Sequence, residues 1–395
     1  MNNQALKQQD TVQGHKPCEV YRKCGGCQLQ NMDYPRQLQW KQSRCVKLLK
    51  DCGRVLPIIP MANPYNYRNK VQAAFQMNRG GRIVSGIYQS STGHIVTPKR
   101  CQTEDRQAQK IVKSIEKLVQ SFKLKVYDPI SKRGFIRHVL VRRGFATGEI
   151  MVVLVAGTPV FTAKKNFVNA LLKLHPEITT VVHNVYTGGI PMILGNSEKV
   201  LYGPGFIKDI LCGCKFRISS RSFYQINPVQ TEVLYNTAIE FAQLTEKDKV
   251  LDAYCGIGTI SLAAAKYAGH VTGVEIVGDA IRDAVANARE NKIKNTWFQT
   301  GDAGEFMTEL ADAGEKIDVL FMDPPRTGAD SAFLSAVLKL SPGRVVYISC
   351  NPETLARDLR RLIGGGYKVT QIQPVDMFPH TNHVETVVLM SRKGG

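Results

Sequence analysis

Three groups that are able to do covalent or proton-transfer chemistry stand beside apolar runs in this sequence. A thiol lies in Ser349-Cys350-Asn351-Pro352, directly after an apolar run. A carboxylate lies in Asp323-Pro324-Pro325-Arg326, on a backbone that two prolines stiffen. A second carboxylate, Glu385, follows the polar run 376–383. Together these groups supply a nucleophile, an orienting carboxylate and a base.

Two of these groups have plain structural alternatives. A lone cysteine is by default a buried core residue, and the polar run before Glu385 could be a turn with ordinary hydrogen bonds. Cys350 is favoured as a nucleophile because it lies at a strand end and is flanked by polar residues and proline. A helix that begins directly after Cys350 would lower the pKa of its thiol.

A glycine turn farther back in the chain suits an adenosine cofactor. Gly256-Ile257-Gly258 ends one apolar strand, and Glu275 ends the next, nineteen residues beyond Gly256. Such a turn lets a ligand approach the backbone, and an acid at the next strand tip can accept hydrogen bonds from ribose. The third glycine of a pyrophosphate turn is missing, which favours S-adenosylmethionine. Asp302 either meets an adenine edge or caps a helix.

A sheet is needed to bring these groups together. From about residue 229 strands and helices alternate, and the last two strands have only a short connection. This order predicts a doubly wound, Rossmann-like α/β domain with a mostly parallel sheet and one antiparallel edge strand. Residues that end parallel strands meet at one edge of such a sheet. The predicted strands are 249–254, 270–275, 296–300, 318–323, 344–349, 368–375 and 384–391.

The preceding part of the chain has a different pattern. From about 65 to 225, short β-branched runs alternate with glycine turns, interrupted by one predicted helix near 104–122. This pattern predicts an antiparallel α+β domain. A helical pattern over 34–52 makes Cys45 and Cys52 core residues. We therefore expect a disordered tail at 1–16, a first domain at 17–228 and a second domain at 229–395.

Positive charge is concentrated in the first part of the chain. Residues 1–240 hold 35 Lys and Arg against 14 Asp and Glu, whereas residues 241–395 hold 17 against 19. Such segregation favours a polyphosphate partner, so the first domain is predicted to bind nucleic acid. The sequence has neither an apolar run long enough for a membrane span nor a secretory signal, which predicts a cytoplasmic protein.

Three cysteines lie close together near the start of the chain. They are Cys18, Cys24 and Cys27, and Cys101 is the best available fourth thiol. In a reducing compartment, clustered cysteines are metal ligands or reactive groups more often than disulfides. Four thiolates suit either zinc or an iron–sulfur cluster, and the spacing leaves both open.

Several motifs, taken together, resemble the RNA uracil-5-methyltransferase family. They are Asp252-Ala253-Tyr254-Cys255-Gly256, Asp323-Pro324-Pro325-Arg326, Ser349-Cys350-Asn351-Pro352, and Asp376-Met377-Phe378-Pro379-His380-Thr381 with Glu385. The upstream segment Ser222-Phe223-Tyr224-Gln225-Ile226-Asn227 is similar to the segment that precedes the family's catalytic domain. The resemblance therefore covers nearly the whole chain.

The resemblance implies an enzyme that methylates carbon 5 of a uridine in structured RNA with S-adenosylmethionine. It implies Cys350 as the nucleophile, bonded to carbon 6 of the base, and Glu385 as the base that removes a proton. The implied cofactor contacts are Gln225, Tyr254, Thr259, Glu275, Asp302 and Asp323. Thr259 departs from the pattern, since some relatives have asparagine there.

Cluster-bearing members of the family show the same cysteine arrangement, followed by Gln-Leu-Gln as in Gln28-Leu29-Gln30 here. The resemblance to them favours a [4Fe-4S] cluster on Cys18, Cys24, Cys27 and Cys101. It also favours 23S ribosomal RNA as the substrate, with transfer RNA as the alternative. Several relatives carry a small β-barrel TRAM domain, and because few residues precede Cys18 we expect this chain to lack that domain.

Two other functions fit parts of the sequence. An amino-methyltransferase would also place an acid and prolines after the fourth strand, but it normally continues with an aromatic residue and needs no thiol. Arg326 and Cys350 argue against it. A non-enzymatic RNA-binding module with a vestigial fold would not need Cys350 and Glu385.

Overall fold

The computed structural model describes residues 16–78, 80–89, 92–128, 130–188 and 194–392. The tail predicted at residues 1–16 lies outside the described residues except for Lys16. In chain order the elements are α1 (Tyr21–Cys24), α2 (Tyr34–Leu49), β1 (Lys70–Met77), β2 (Ile83–Tyr88), β3 (Ile95–Val96), α3 (Arg106–Ser121), β4 (Ile136–Arg143), β5 (Ile150–Ala156), α4 (Lys164–Leu174), β6 (Ile178–Val185), β7 (Ser197–Tyr202), β8 (Phe206–Leu211), β9 (Cys214–Ser219), α5 (Pro228–Ala242), β10 (Lys249–Ala253), α6 (Thr259–Ala264), β11 (His270–Glu275), α7 (Gly278–Glu290), β12 (Thr296–Thr300), α8 (Ala303–Asp312), β13 (Val319–Met322), α9 (Ser331–Leu340), β14 (Arg344–Ser349), α10 (Pro352–Gly364), β15 (Tyr367–Val375) and β16 (Glu385–Arg392).

The chain divides into two compact units. The first comprises the described parts of Met1–Asp33 and Asn63–Ile210, together with Arg217–Arg221. The second comprises Tyr34–Ala62, Leu211–Phe216 and the described part of Ser222–Gly395. By sequence, the first unit holds 28 Lys and Arg against 11 Asp and Glu, and the second holds 24 against 22. The positive charge therefore belongs to the first unit.

A seven-stranded sheet in the order β3-β2-β1-β4-β5-β6-β7 is the framework of the first unit. α3 and α4 bury apolar side chains in one core with it, among them Ile111, Leu171 and Val152. The predicted helix near 104–122 is confirmed as α3. The Asp105 side chain caps it by accepting a hydrogen bond from the Ala108 N–H at 2.9 Å.

The prediction of a wholly antiparallel sheet with a single helix is wrong at one place. β5 and β6 are parallel, because α4 forms the crossover that parallel neighbours require. Lys164 and Lys165 begin α4, and these two charged residues obscured the helical pattern in the sequence. Phe167, Val168 and Leu171 nevertheless have helical spacing and are buried.

The second unit contains a seven-stranded sheet in the order β12-β11-β10-β13-β14-β16-β15. The first five strands of this order are parallel, and β16 is antiparallel to both of its neighbours. The doubly wound α/β prediction is confirmed, and each predicted strand lies within one residue of its observed bounds. The prediction that the antiparallel strand lies at the edge is wrong, because β16 pairs with β15 as well as with β14, and β15 is the edge strand. The near-continuous apolar runs were informative because helices cover both faces of such a sheet.

Polar side-chain caps begin α8 and α10, two of the helices that follow strands of this sheet. The Asp302 carboxylate accepts hydrogen bonds from the Gly304 and Glu305 N–H groups at 2.8 and 3.0 Å and begins α8. The Asn351 side chain accepts from the Glu353 N–H at 3.1 Å and begins α10, with Pro352 at its first position. The polypeptide therefore turns sharply at the carboxyl ends of the strands.

α2 packs with the second unit, although its place in the sequence had assigned it to the first domain. Cys45 and Leu49 are fully buried in the same core as Leu251 and Tyr347. Cys45 is a core residue as predicted. Position along the chain misled the assignment because the helix is separated in sequence from the sheet that it covers.

A buried ion pair fixes α2 to the segment before β16. Lys41 Nζ donates to Asp376 Oδ1 at 2.5 Å, and both side chains are fully buried. Lys41 Nζ also donates to the Phe378 carbonyl at 3.0 Å. Burial lowers the pKa of Lys41, and the Asp376 carboxylate opposes this shift.

None of the helices in the described ranges is long and apolar enough to cross a membrane.

Lys41→Met should lower the free energy of unfolding by about 3–5 kcal/mol, because it leaves the Asp376 carboxylate buried without its partner. Lys41→Met/Asp376→Asn should recover much of the loss in urea denaturation. The matched control is Lys249→Met, since Lys249 pairs with Glu315 at the surface and should contribute less than about 1 kcal/mol. Equal losses for Lys41→Met and Lys249→Met would contradict the importance of the buried pair.

Candidate active site

The strand order explains how distant residues reach one place. β13 and β14 are parallel neighbours, so Asp323 and Cys350 follow their carboxyl ends at the same edge. β16 runs antiparallel to β14, and Ser349 pairs with Thr386. The start of β16 therefore lies at that edge, and Glu385 is brought close to Cys350. The structure thus gathers the thiol and both carboxylates singled out in the sequence.

The loop after β13 is held by α10. The buried Asp358 carboxylate accepts hydrogen bonds from the Ala329 N–H at 2.9 Å and from the Tyr347 hydroxyl at 2.7 Å. Arg357 donates to the carbonyls of Thr327 and Ala329, each at 3.0 Å. The sequence analysis did not single out Asp358, whose only signal is an acid on the otherwise apolar face of a helix.

The turn at Cys350 is braced from the same loop. The Asn351 side chain donates to the Arg326 carbonyl at 3.2 Å, and the Thr354 hydroxyl donates to it at 3.3 Å. The Ser349 hydroxyl donates to the Asn351 carbonyl at 3.1 Å. Cys350 is half-buried in this turn. Its thiol is thus held by rigid backbone and remains partly accessible.

The site disfavours negative charge. Burial raises the pKa of Cys350 to about 11, with further increases from the Glu385 and Asp323 carboxylates. Burial, followed by Asp323, raises the pKa of Glu385 to about 8. Burial also raises the pKa of Asp323 to about 7. The predicted low pKa of the Cys350 thiol is therefore wrong, because desolvation and two nearby carboxylates outweigh the effect of the helix that starts at Pro352.

Arg326 is the nearby cation that opposes these shifts. Its charge lowers the pKa of both Cys350 and Glu385. It is exposed, and its Nη2 lies 2.6 Å from His383 Nε2. The sequence analysis used Arg326 only to exclude an amino-methyltransferase. Its place after the two prolines was the available signal for a role in the site.

The Asp323 carboxylate is the unpaired acceptor of this edge. Among the described residues no hydrogen bond reaches it, and burial alone raises its pKa. It is only half-buried, so its oxygens remain open to a ligand. Asp252 differs, since its Oδ2 accepts a hydrogen bond from the Ser261 hydroxyl at 2.5 Å inside the core. Asp323 is therefore the better candidate for a ligand contact.

The glycine turn after β10 leaves space for a ligand. Tyr254, Gly256 and Gly258 have φ angles of 68°, 56° and 83°. A Cβ atom at Gly256 would have nothing within 4 Å, whereas one at Gly258 would approach Phe298 to 3.1 Å. Gly256 thus faces open space and Gly258 packs against the protein. Cys255 is buried, and burial strongly raises its thiol pKa, which makes it unsuitable as a nucleophile.

Two acids flank this space. The Glu275 carboxylate accepts from the Gly256 N–H at 3.2 Å and from the Val277 N–H at 2.9 Å. Asp302 uses Oδ1 to cap α8, which confirms the capping alternative. Its Oδ2 makes no hydrogen bond to any other described residue, so capping leaves one oxygen for a ligand.

Tyr235 joins two of the residues implied by the family resemblance. Its hydroxyl lies 3.4 Å from Thr259 Oγ1 and is hydrogen-bonded to the Gln225 side chain. Burial, followed by Asp323, raises the pKa of Tyr235. The structure therefore brings Gln225 and Thr259 to the same region as Asp323. The sequence analysis missed Tyr235, which looked like one of many apolar-face residues of α5.

The polar segment before Glu385 is held from two sides within the second unit. The Gln37 side chain accepts from the His380 N–H at 2.8 Å, and Arg44 donates to the Asn382 carbonyl at 2.8 Å. From α5, Asn227 donates to the Met377 carbonyl at 2.8 Å. The alternative of a turn with ordinary hydrogen bonds is partly right. Those bonds also fix the position from which β16 starts.

The cysteines near the start of the chain lie in the first unit. Burial raises the pKa of Cys27 to about 12, and the other three predicted ligands, Cys101, Cys24 and Cys18, also raise it electrostatically. Arg68 interacts electrostatically with Cys27 and Cys101, and its buried Nε has no hydrogen-bond partner among the described residues. The other three thiols therefore lie within electrostatic range of Cys27. No group of three or more His, Cys, Asp or Glu side chains in the described part of the chain has the arrangement of a metal site.

Comparison with known proteins identifies the family. The sequence profile of the tRNA (uracil-5-)-methyltransferases matches residues 213–393. An uncharacterised RNA methyltransferase of Halalkalibacterium halodurans is 44% identical over 95% of this chain and 83% of its own length. One of Clostridium tetani is 42% identical over 96% of this chain and 83% of its own length. The chain belongs to the tRNA (uracil-5-)-methyltransferase family.

A solved structure agrees with this membership. The Pyrococcus abyssi tRNA (uracil-54, C5)-methyltransferase, in complex with S-adenosyl-L-homocysteine, superposes with a TM-score of 0.78 at 26% identity. The match covers 92% of this chain and 85% of that one. The α/β methyltransferase fold and the RNA methyltransferase class are thus confirmed. The alternative of a non-enzymatic RNA-binding module is wrong.

The raised pKa of Glu385 predicts a pH-dependent stability. Its folded value of about 8 exceeds the ordinary 4.5, so between these values the folded chain retains a proton that the unfolded chain releases. Stability should fall as pH rises through this window, by about 1.4 kcal/mol per pH unit for this proton. In urea denaturation from about pH 6 to 8, Glu385→Gln should flatten the decline by one proton's share. Glu309→Gln, which removes an exposed carboxylate of α8, should match the wild type, and identical slopes for all three proteins would contradict the prediction.

Proposed function

We propose that this enzyme methylates carbon 5 of a uridine in 23S ribosomal RNA, with Cys350 as nucleophile and Glu385 as base. The observation that carries the proposal is the sheet edge where β14 ends and β16 begins. There the half-buried Cys350 thiol is under the electrostatic influence of Glu385, Asp323 and Arg326. A thiol, a buried carboxylate and a cation at one open edge are the groups that methylation of an unreactive ring carbon requires.

The thiol is needed because carbon 5 of uracil is a weak nucleophile. Addition of the Cys350 thiolate to carbon 6 makes the ring an enolate, whose carbon 5 would then take the methyl group from the cofactor's sulfonium and leave the cofactor as the neutral thioether. Arg326 lowers the pKa of Cys350 and so favours the reactive thiolate. The same cation suits the negative charge that develops on the ring.

The buried carboxylate then completes the reaction. After methylation, carbon 5 carries both the new methyl group and its original proton. Glu385 accepts that proton, and elimination restores the ring and frees the cysteine. Burial raises the pKa of Glu385 to about 8, which makes it a stronger base than an exposed glutamate.

S-adenosylmethionine supplies the methyl group, and the residues around the glycine turn suit it. Open space in front of Gly256 admits a ligand to the backbone. Glu275, held by two backbone N–H groups, is the proposed ribose contact, and the free oxygen of Asp302 is the proposed adenine contact. The half-buried, unpaired Asp323 carboxylate suits the cationic part of the cofactor. Gln225, Tyr254 and Thr259 complete the proposed set.

The RNA is the remaining part of the proposal. A first unit with an excess of 17 positive charges in its sequence suits a phosphate backbone, and the target base must leave its stack to reach the thiol. Resemblance to cluster-bearing relatives favours 23S ribosomal RNA in the cytoplasm. Transfer RNA is the second candidate, because the solved neighbour from Pyrococcus abyssi is a tRNA (uracil-54, C5)-methyltransferase.

Glu385→Gln should accumulate a covalent protein–RNA adduct, because addition and methyl transfer precede removal of the proton. The measurement is a denaturing gel of protein incubated with cofactor and RNA from cells that lack the protein. Adding Cys350→Ala to Glu385→Gln should abolish the adduct, and Cys350→Ala alone should abolish methylation while leaving cofactor affinity within severalfold.

Cys52→Ala is the matched control, since it removes a half-buried thiol outside the site and should leave turnover intact. Retained turnover in Cys350→Ala, or no slow-migrating species in Glu385→Gln, would contradict the assigned roles. Mass spectrometric mapping of 5-methyluridine in the wild-type reaction should find the product in 23S ribosomal RNA. A product confined to transfer RNA would replace the substrate and leave the chemistry intact.

We also propose that Cys18, Cys24, Cys27 and Cys101 hold a [4Fe-4S] cluster. The proposal comes from the resemblance to cluster-bearing relatives. It is supported by the mutual electrostatic influence of the four thiols and by the unpartnered Nε of Arg68 beside them, a donor that suits cluster sulfur. The cluster would join the short turn at α1 to the segment before α3.

Anaerobically purified protein should therefore be brown and contain about four irons per chain, since a cuboidal cluster takes four thiolates. Cys24→Ser should lose iron and weaken RNA binding more than cofactor binding, because the thiols belong to the first unit. Cys212→Ser, outside the set, should retain the colour. Stoichiometric zinc without iron or acid-labile sulfide would contradict the cluster and leave the methyltransferase chemistry untouched.

A further inference from the structure

A cleft of about 600 Å³ opens in the first unit beside the cysteine segments. Its lining comes from three stretches of the chain: residues 16–19, 63–66 and 99–106. Cys18 is part of the lining, so the cleft adjoins the proposed cluster. The catalytic residues belong to the second unit, and none of them lines this cleft.

The cleft is strongly cationic. Lys16, Lys99 and Arg100 line it and are exposed. Within the part of the chain that the structure describes, their side chains make no ion pair or hydrogen bond. The one carboxylate of the lining, Glu19, is already engaged, because its Oε1 accepts from the Lys99 N–H at 2.9 Å. Three cations without partners around one open cleft are suited to an anion with several charges.

The walls of the cleft are held in place without any ligand. The Asn66 side chain donates to the Glu104 carbonyl at 2.8 Å and accepts from Arg106 Nε at 2.9 Å. The Gln102 side chain donates to the Lys16 carbonyl at 3.2 Å. These bonds join all three stretches. The cations therefore project from cleft walls that are already held together. An anion that binds these cations would not have to order the walls first.

An aromatic residue completes the lining. Tyr65 belongs to the cleft and is 40% exposed, which is unusual for a large ring among charged residues. Proteins that bind single-stranded nucleic acid combine cations that follow the backbone with aromatic rings on which bases stack. An acidic peptide would bind to the cations but would not need the exposed aromatic ring of Tyr65.

We propose that this cleft binds a single-stranded stretch of the substrate RNA, with Lys16, Lys99 and Arg100 at its phosphates and Tyr65 against a base. The inference rests on the proposed function, since it assigns a second contact for the same RNA. Sequence choice at the cleft would be weak, because phosphates and base faces are common to every RNA. The cleft would position the strand, and the active site would select the uridine.

The test uses the full chain and 5′-fluorescein-labelled dodecauridine, with affinity measured by fluorescence anisotropy at several salt concentrations. Lys16→Ala/Lys99→Ala/Arg100→Ala should reduce the slope of log affinity against log salt by about two, since each single-strand phosphate contact contributes about 0.7. Tyr65→Ala should weaken binding by about tenfold, whereas Tyr65→Phe, which keeps the ring, should bind like the wild type.

The matched control is Lys247→Ala/Lys294→Ala/Lys316→Ala. These exposed lysines precede β10, β12 and β13 at the sheet edge opposite the active site, so they remove equal charge without touching the cleft. Circular dichroism checks that every variant folds. A salt slope for the cleft variant equal to that of the control, or a Tyr65→Ala variant that binds like the wild type, would overturn the inference. Wild-type protein that binds dodecauridine through the cleft but methylates no RNA would instead overturn the proposed function.

Discussion

The site depends on the antiparallel pairing of β16 with β14. In a wholly parallel sheet, a residue that begins a strand lies at the opposite edge from one that ends its neighbour. Because β16 is reversed, it begins with Glu385 at the same edge where Cys350 follows the end of β14. The register of Ser349 with Thr386 fixes the proximity of Glu385 to Cys350. A shift of one residue would turn the Glu385 side chain to the other face of the sheet. The proposed nucleophile and the proposed base are therefore positioned by backbone hydrogen bonds.

Two buried acids keep this edge in register with its surroundings. Asp376 pairs with Lys41 of α2, and Asp358 of α10 holds the loop after β13. A buried ion pair contributes little net stability compared with apolar packing, but removing one partner is costly. Their value lies in specifying one position for each loop. Neither acid needs to touch a substrate to affect the geometry at Cys350.

The electrostatics of the site favour the protonated forms of its acidic groups. Burial raises the pKa values of Cys350, Glu385 and Asp323 together, and the charge of Arg326 lowers those of the first two. Protonation is therefore favoured at this edge, and a cationic ligand would favour the charged forms. Because the thiol form is the less reactive one, the proposed nucleophile depends on nearby positive charge for its activation.

By itself the sequence determined the second sheet to within one residue for each strand, the groups at its carboxyl edge, and the family, because buried parallel strands read as apolar runs and the motifs follow them directly. It did not determine that α2 packs with the second unit, that α4 makes one strand pair parallel, or that Lys41 meets Asp376, since these contacts join residues distant in the chain. The sequence also did not determine the pKa of the Cys350 thiol. A pKa depends on desolvation and on charges brought near in space, which only the tertiary structure decides.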